Sequence, residues 1–184
     1  MGLPSYIFKK ILGWKIEGSF DPSIKKAVVI VVPHTSWHDF FVGLYARRIL
    51  KTQINYVAKK ELFTWPFSYY FKWTGGAALD RTSGQNKVEA IAQIFHKKDE
   101  FRLAMAPEGT RKKVDKWKTG FYYIAQEAKV PIIPVAFDYG TKTVKVGKPF
   151  YATNDIESDM KALRSFYDGV VEKSQHIPDN FHYE

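Results

Sequence analysis

Residues 27–32, Ala-Val-Val-Ile-Val-Val, restrict the fold more than any other stretch of the chain. Five consecutive β-branched side chains disfavour a helix and suit a strand covered on both faces. Pro33 ends the run, because proline has no N–H to continue a ladder. A central strand of this kind needs strands beside it and helices above and below it.

The rest of the chain supplies both. Ile54–Ala58, Ala77–Leu79, Phe101–Ala106 and Val130–Phe137 read as further strands. Thr141–Val146 reads as a strand returning antiparallel near the sheet edge after the Tyr139-Gly140 turn. Thr35 or Ser36 can cap a helix that continues through Ile49. Gln85–His96 places Val88, Ile91, Ala92 and Phe95 on one helical face. Gly120–Lys129 is a further helix, Pro107–Thr119 a charged loop, and Phe63–Trp73 an aromatic stretch broken by Pro66. Ile7, Phe8, Ile11 and Leu12 recur at helical spacing, which predicts an amphipathic N-terminal helix within 1–14. A C-terminal helix is expected over 155–175. Strands alternating with helices predict an α/β fold. The expected form is a single domain over 1–184 with a mixed, largely parallel β-sheet flanked by helices.

Charge narrows the partners. The 184 residues hold 28 Lys and Arg against 19 Asp and Glu, a net charge of +9. The last 32 residues carry a net −4, so residues 1–152 carry +13. A basic body attracts phosphate, on nucleic acid, anionic lipid or a metabolite. No RNP, helix-turn-helix or zinc-finger signature accompanies it, so no nucleic-acid partner is expected. The longest stretch free of Asp, Glu, Lys and Arg, Ala27–His38, has 12 residues, short of the roughly 18 that cross a bilayer. Residues 1–14 lack a secretory signal pattern, which points to the cytoplasm. With no cysteine, thiolate nucleophiles and Cys-ligated metals are excluded.

Three strand-end loops are polar, where α/β sheets gather their chemistry. The first, Pro33–Asp39, sets His34 five residues before Asp39. A turn there can fold the imidazole back to the carboxylate, which would fix its tautomer and free Nε2 to accept a proton. The same spacing equally describes a helix N-terminus with a favourable first-turn Asp39. His38 competes as a base but lacks an obvious carboxylate orienter. No G-x-S-x-G elbow is present, so a nucleophile would have to come with the substrate. The second loop carries Asp80-Arg81, and the third reads Ala106-Pro107-Glu108-Gly109-Thr110-Arg111. Gly109 lets that backbone turn sharply, and Arg111 offers a fork suited to phosphate.

Together these segments resemble the glycerophospholipid acyltransferase family. His34–Asp39 matches its His-x4-Asp motif, and Gly76–Arg81 its G-x-(apolar)-D-R motif. Ala106–Arg111 matches F-P-E-G-T-R, and Val130–Val135 matches V-P-I-I-P-V. The four occur in the family's order and span roughly residues 27–150. Pro33 stands where the family usually has Asn, Ala106 where it has Phe, and Ala77-Ala78 where it has bulkier residues.

The resemblance implies an O-acyltransferase in phospholipid biosynthesis, with His34 as general base and Asp39 as its orienter. Acyl-CoA or acyl-carrier protein would be the co-substrate, with no cofactor or metal, and 1-acyl-glycerol-3-phosphate the acceptor. Another lyso-lipid, such as a lyso-amino-acid lipid, or hydrolysis of a thioester or lipid ester by the same pair, are the alternatives. Arg81, Glu108, Gly109, Thr110 and Arg111 would bind the acceptor head group, and Pro134 with its apolar neighbours would shape the acyl side. The implied location is the cytoplasmic face of an anionic membrane, as a peripheral protein touching lipid through residues 3–14 or 63–73.

Overall fold

The computed structural model describes residues 6–33, 38–59, 63–65, 68–79, 86–109, 116–169 and 182–183. The central feature is a five-stranded sheet. Its strands are β1 (Lys15–Glu17), β2 (Lys26–Val32), β5 (Phe101–Met105), β7 (Ile132–Asp138) and β8 (Thr143–Val146). Their order across the sheet is β1-β8-β7-β2-β5. The pairings β2–β5, β2–β7 and β1–β8 are parallel, and β7–β8 is antiparallel. The expected mixed, largely parallel architecture is therefore the observed one.

The β-branched run is the middle of this sheet. Val28, Ile30 and Val32 point into one apolar core, Ala27 and Val29 into another. This is the two-residue alternation of a strand with helices on both sides. The first core is closed by α3 (Lys87–Lys97), α4 (Gly120–Ala128) and α5 (Ile156–Ser165). The second is closed by α1 (His38–Ile49) and by the N-terminal turn around Phe8 and Trp14. A small parallel pair, β3 (Tyr56–Lys59) with β4 (Gly76–Leu79), lies beside β5, linked to it by an Asn55–Leu103 bridge. A short helix, α2 (Ser68–Trp73), precedes β4. The remaining strand pair is β6 (Lys116–Trp117) with β9 (His182–Tyr183).

Several expected boundaries move. Among the described residues the N-terminal helix is a five-residue π-helical turn, Ile7–Ile11. Gly13, at a φ of 71°, ends it and turns the chain into β1, which the pattern did not suggest. The C-terminal helix ends at Ser165 rather than near 175. Its last turn tightens through Tyr167 N–H to the Arg164 carbonyl at 2.8 Å. Gly169 then takes a left-handed φ of 75°, a helix-ending conformation glycine adopts without steric cost. β3 starts two residues later than Ile54. Both hydrogen-bonding groups of the Asn55 backbone go to β5, as N–H to the Arg102 carbonyl and carbonyl to the Ala104 N–H, each at 2.7 Å. β8 is second from the edge, because β1 lies outside it.

Candidate active site

The parallel register brings the carboxyl ends of β2, β5 and β4 to one side of the molecule. Ile30 of β2 is level with Met105 of β5. The segment after Val32 and the segment after Met105 therefore leave the sheet side by side. β4 ends on the same side, since β3 and β4 run parallel to each other and Asn55 pairs parallel with β5.

Of the residues singled out by sequence, Asp39, Glu108, Gly109 and Pro134 are described. His34, Asp80, Arg81, Thr110 and Arg111 lie outside the described residues. Asp39 sits in the first turn of α1 and is only 3% exposed. A buried carboxylate needs hydrogen-bond donors, and the phenol of Tyr139 donates to its Oδ1. Burial, then this bond and the Asp39 charge, push the Tyr139 phenol well above its usual pKa. Tyr139 therefore remains a donor at neutral pH. His38, the competing base, is exposed at the start of α1.

Glu108 is also 3% exposed, under the turn that follows β5. Its charge is felt by the fully buried Tyr167, whose phenol is pushed up chiefly by burial and further by Glu108. Gly109 closes the turn through its N–H to the Ala106 carbonyl at 3.0 Å, at a φ of 66°. A β-carbon there would also stand 3.1 Å from the Lys118 side chain. The sharp turn expected at Gly109 is thus present, with a steric reason for glycine.

Beside Asp39 opens a cavity of about 520 Å³. Its walls are apolar: Val29 and Val31 of β2, Val135 and Phe137 of β7, and Phe40 and Leu44 of α1. Gly43 leaves room inside α1, since a β-carbon there would meet only the Phe137 ring, at 3.7 Å. Asp39 and Ala106 also line it. Arg47, Asn55 and Thr74 also line the cavity. Arg47 is eight residues further along α1, about 12 Å at helical rise. Its guanidinium donates to the carbonyls of Ile54 (3.0 Å) and Thr74 (2.7 Å), fastening α1 to the β3–β4 pair. Pro134 does not line this cavity. It lies in the middle of β7, where its ring would meet any β-carbon at Gly147 at 2.7 Å. Its neighbours Val135 and Phe137 form the wall instead.

Tyr139, Arg47, Asn55 and Gly43 were not singled out by sequence. Two of them carried a signal. Tyr139 follows a strand's carboxyl end, where function gathers. Gly43 is an isolated glycine inside a helical pattern, which usually has a packing reason.

In this α/β protein a buried carboxylate thus stands at the rim of a largely parallel sheet, beside a mostly apolar cavity. The acyltransferase family model matches residues 15–138, and the chain belongs to that family. The chain is 32% identical over 142 residues to the 1-acyl-sn-glycerol-3-phosphate acyltransferase of Bacillus subtilis, covering 74% of this chain and 69% of that one. It is 26% identical over 172 residues to the enzyme of the same name from Saccharomyces cerevisiae, covering 81% of this chain and 56% of that one. The chain thus spans about half the length of the yeast relative. The crystal structure of the 1-acyl-sn-glycerophosphate acyltransferase from Thermotoga maritima superposes with a TM-score of 0.60 at 19% identity, covering 93% of this chain and 81% of that one. That likeness establishes the shared fold.

Proposed function

We propose that the protein transfers a fatty acyl group from a thioester, acyl-CoA or acyl-carrier protein, to the free hydroxyl of 1-acyl-glycerol-3-phosphate. The observation that carries this reading is the buried, hydrogen-bonded Asp39 lining a mostly apolar cavity. The names of the relatives supply the acceptor.

In this mechanism Asp39 accepts the Nδ1–H of His34, and His34 Nε2 takes the proton of the acceptor hydroxyl. The hydroxyl oxygen attacks the thioester carbonyl directly. The tetrahedral intermediate collapses, the C–S bond breaks, and the leaving thiolate takes the proton back from the imidazolium. Water attacking in place of the acceptor would give free fatty acid. The acyl chain lies in the cavity between α1 and the sheet. In this reading Arg81, Thr110 and Arg111 bind the acceptor phosphate next to the Gly109 turn, beneath which Glu108 is buried.

The protein works at an anionic membrane surface on the cytoplasmic face. None of the helices among the described residues is long and apolar enough to cross a membrane. Contact is made by side chains instead. Trp65, Tyr69 and Trp73 are between 73% and 85% exposed around α2. Tyr6, Ile11 and Leu12 stand out from the N-terminal turn beside Lys9 and Lys10. Amphipathic aromatic rings with nearby cations suit the headgroup region.

The test is acyl transfer from acyl-CoA and from acyl-carrier protein to lysophosphatidic acid presented in vesicles. The expected product is phosphatidic acid. Full transfer by H34A removes the proposed base, and free fatty acid without phosphatidic acid makes the protein a hydrolase.

A further inference from the structure

We infer that Tyr139 is a positioning residue that orients the Asp39 carboxylate, and that Trp14 holds Tyr139 in place. This rests on the reading of Asp39 as the orienter of His34.

A carboxylate rotates easily about its last bond, because that torsion has broad wells. An orienting carboxylate must keep one oxygen toward the imidazole, so its other contacts matter. Tyr139 supplies one through a charge-assisted O–H to Oδ1, from a residue 100 positions away in the chain. It stands directly after β7, whose last residue is Asp138. β7 is rigid here, paired parallel to β2 on one side and antiparallel to β8 on the other. The donor therefore comes from the sheet and the acceptor from α1.

The ring of Tyr139 is itself braced. Trp14 meets it edge-on, with centroids 5.1 Å apart at 85°. Trp14 also meets Phe137 at 6.5 Å and Phe8 at 6.1 Å. Phe8 in turn touches Tyr45 of α1 at 6.3 Å. The N–H of Trp14 is bound by the Phe8 carbonyl at 2.9 Å, and that of Lys15 by the Lys142 carbonyl at 2.8 Å. A closed circuit of side chains thus runs from α1 through Phe8, Trp14 and Tyr139 back to Asp39 on α1. The N-terminal turn, whose outer face carries the exposed Ile11, is the inner support of the acid–base pair.

The experiment compares Y139F, Y139L, D39N and W14F in the vesicle assay, with thermal melting of each. A hydrogen bond to a charged group predicts that Y139F loses kcat about tenfold to hundredfold, with both KM values within about twofold of wild type. Y139L should fall at least as far, D39N further, and W14F severalfold in kcat alone. Y139F with wild-type kcat while D39N is inactive overturns the role of Tyr139 and leaves the His34–Asp39 pair standing. Wild-type activity in D39N takes away the pair, and the proposal with it. A rise in KM with kcat unchanged in Y139F also overturns it, since a positioning residue acts on the chemical step. Should Y139F melt too low to assay, W14F decides: a selective loss of kcat supports the proposal and an unchanged kcat overturns it.

Discussion

The two faces of the central sheet are made of alternate residues of the same strands, yet they end up different. On one, Phe95 of α3 and Phe121 of α4 fill the space together with Phe101 of β5, Trp117 of β6 and Tyr167 after α5, all essentially inaccessible. On the other, α1 and the N-terminal turn leave a cavity of about 520 Å³. The filled face uses aromatic rings to reach across the gap between helix and sheet, such as the Phe95–Phe101 pair with centroids 4.8 Å apart. The hollow face opposes valines to a helix with Gly43 at its middle, so the side chains stop short. The comparison teaches that tight packing and open space are divided by sheet face, and one strand lines both.

Substitutions can break this division. The largest effect is expected from H34A, which should cut kcat about 10²- to 10⁴-fold, as for loss of a general base, with an unchanged melting temperature. Comparable stability loss belongs to the other face. F121A should destabilise by about 3–5 kcal/mol in urea unfolding, since it empties a fully packed site. L44A, beside space that is already empty, should cost about 2 kcal/mol or less, the low end for such truncations. Equal costs for the two would erase the distinction.

G43L reverses the usual association of core change with instability. Its side chain would enter the cavity, so the preference for long over short acyl donors should fall about tenfold or more in relative kcat/KM. Removing a helix-interior glycine should at the same time stabilise by about 0.5–1 kcal/mol. A loss of stability with unchanged chain preference would place the acyl chain elsewhere.

The smallest effect is a pH dependence confined to the filled face. Burial, followed by the bond to Asp159 at 2.8 Å and that residue's charge, pushes the Tyr122 phenol from 10.0 to about 12. The folded pKa lies above the unfolded one, so the contribution is fully present below pH 10 and is lost as pH rises toward 12. Alkaline melting of Y122F should show a shallower decline across that window than wild type, with acyl transfer at neutral pH unchanged.

How far these features can be read from sequence depends on the distance over which they are encoded. α3 and α4 show themselves because each buries a face whose period is visible within a dozen residues, and β2 and β7 because each is a continuous apolar run buried on both faces. β1, β6 and β9 have two or three residues each and no period to show. They exist because a neighbour offers its edge. The alternation of strands and helices was legible, and it sets the carboxyl ends of β2 and β5 side by side. Tyr139 was legible only as part of a turn, since its meaning lies in an aspartate 100 residues earlier. The cavity was legible in neither of its walls. It follows from small residues meeting across α1 and the sheet, and only Gly43 hinted at it.

The outermost strand, β1, is three residues long, with Lys15 and Glu17 exposed and Ile16 half covered. A sheet edge is an open template that another chain can extend by pairing. A strand this short, with a charge at each end, presents too little ladder for that. Molecules crowded together on a two-dimensional surface meet far more often than in solution, so edge-to-edge assembly would be their readiest failure. The residues that tie the N-terminal turn to the sheet thus also offer a second copy little to pair with.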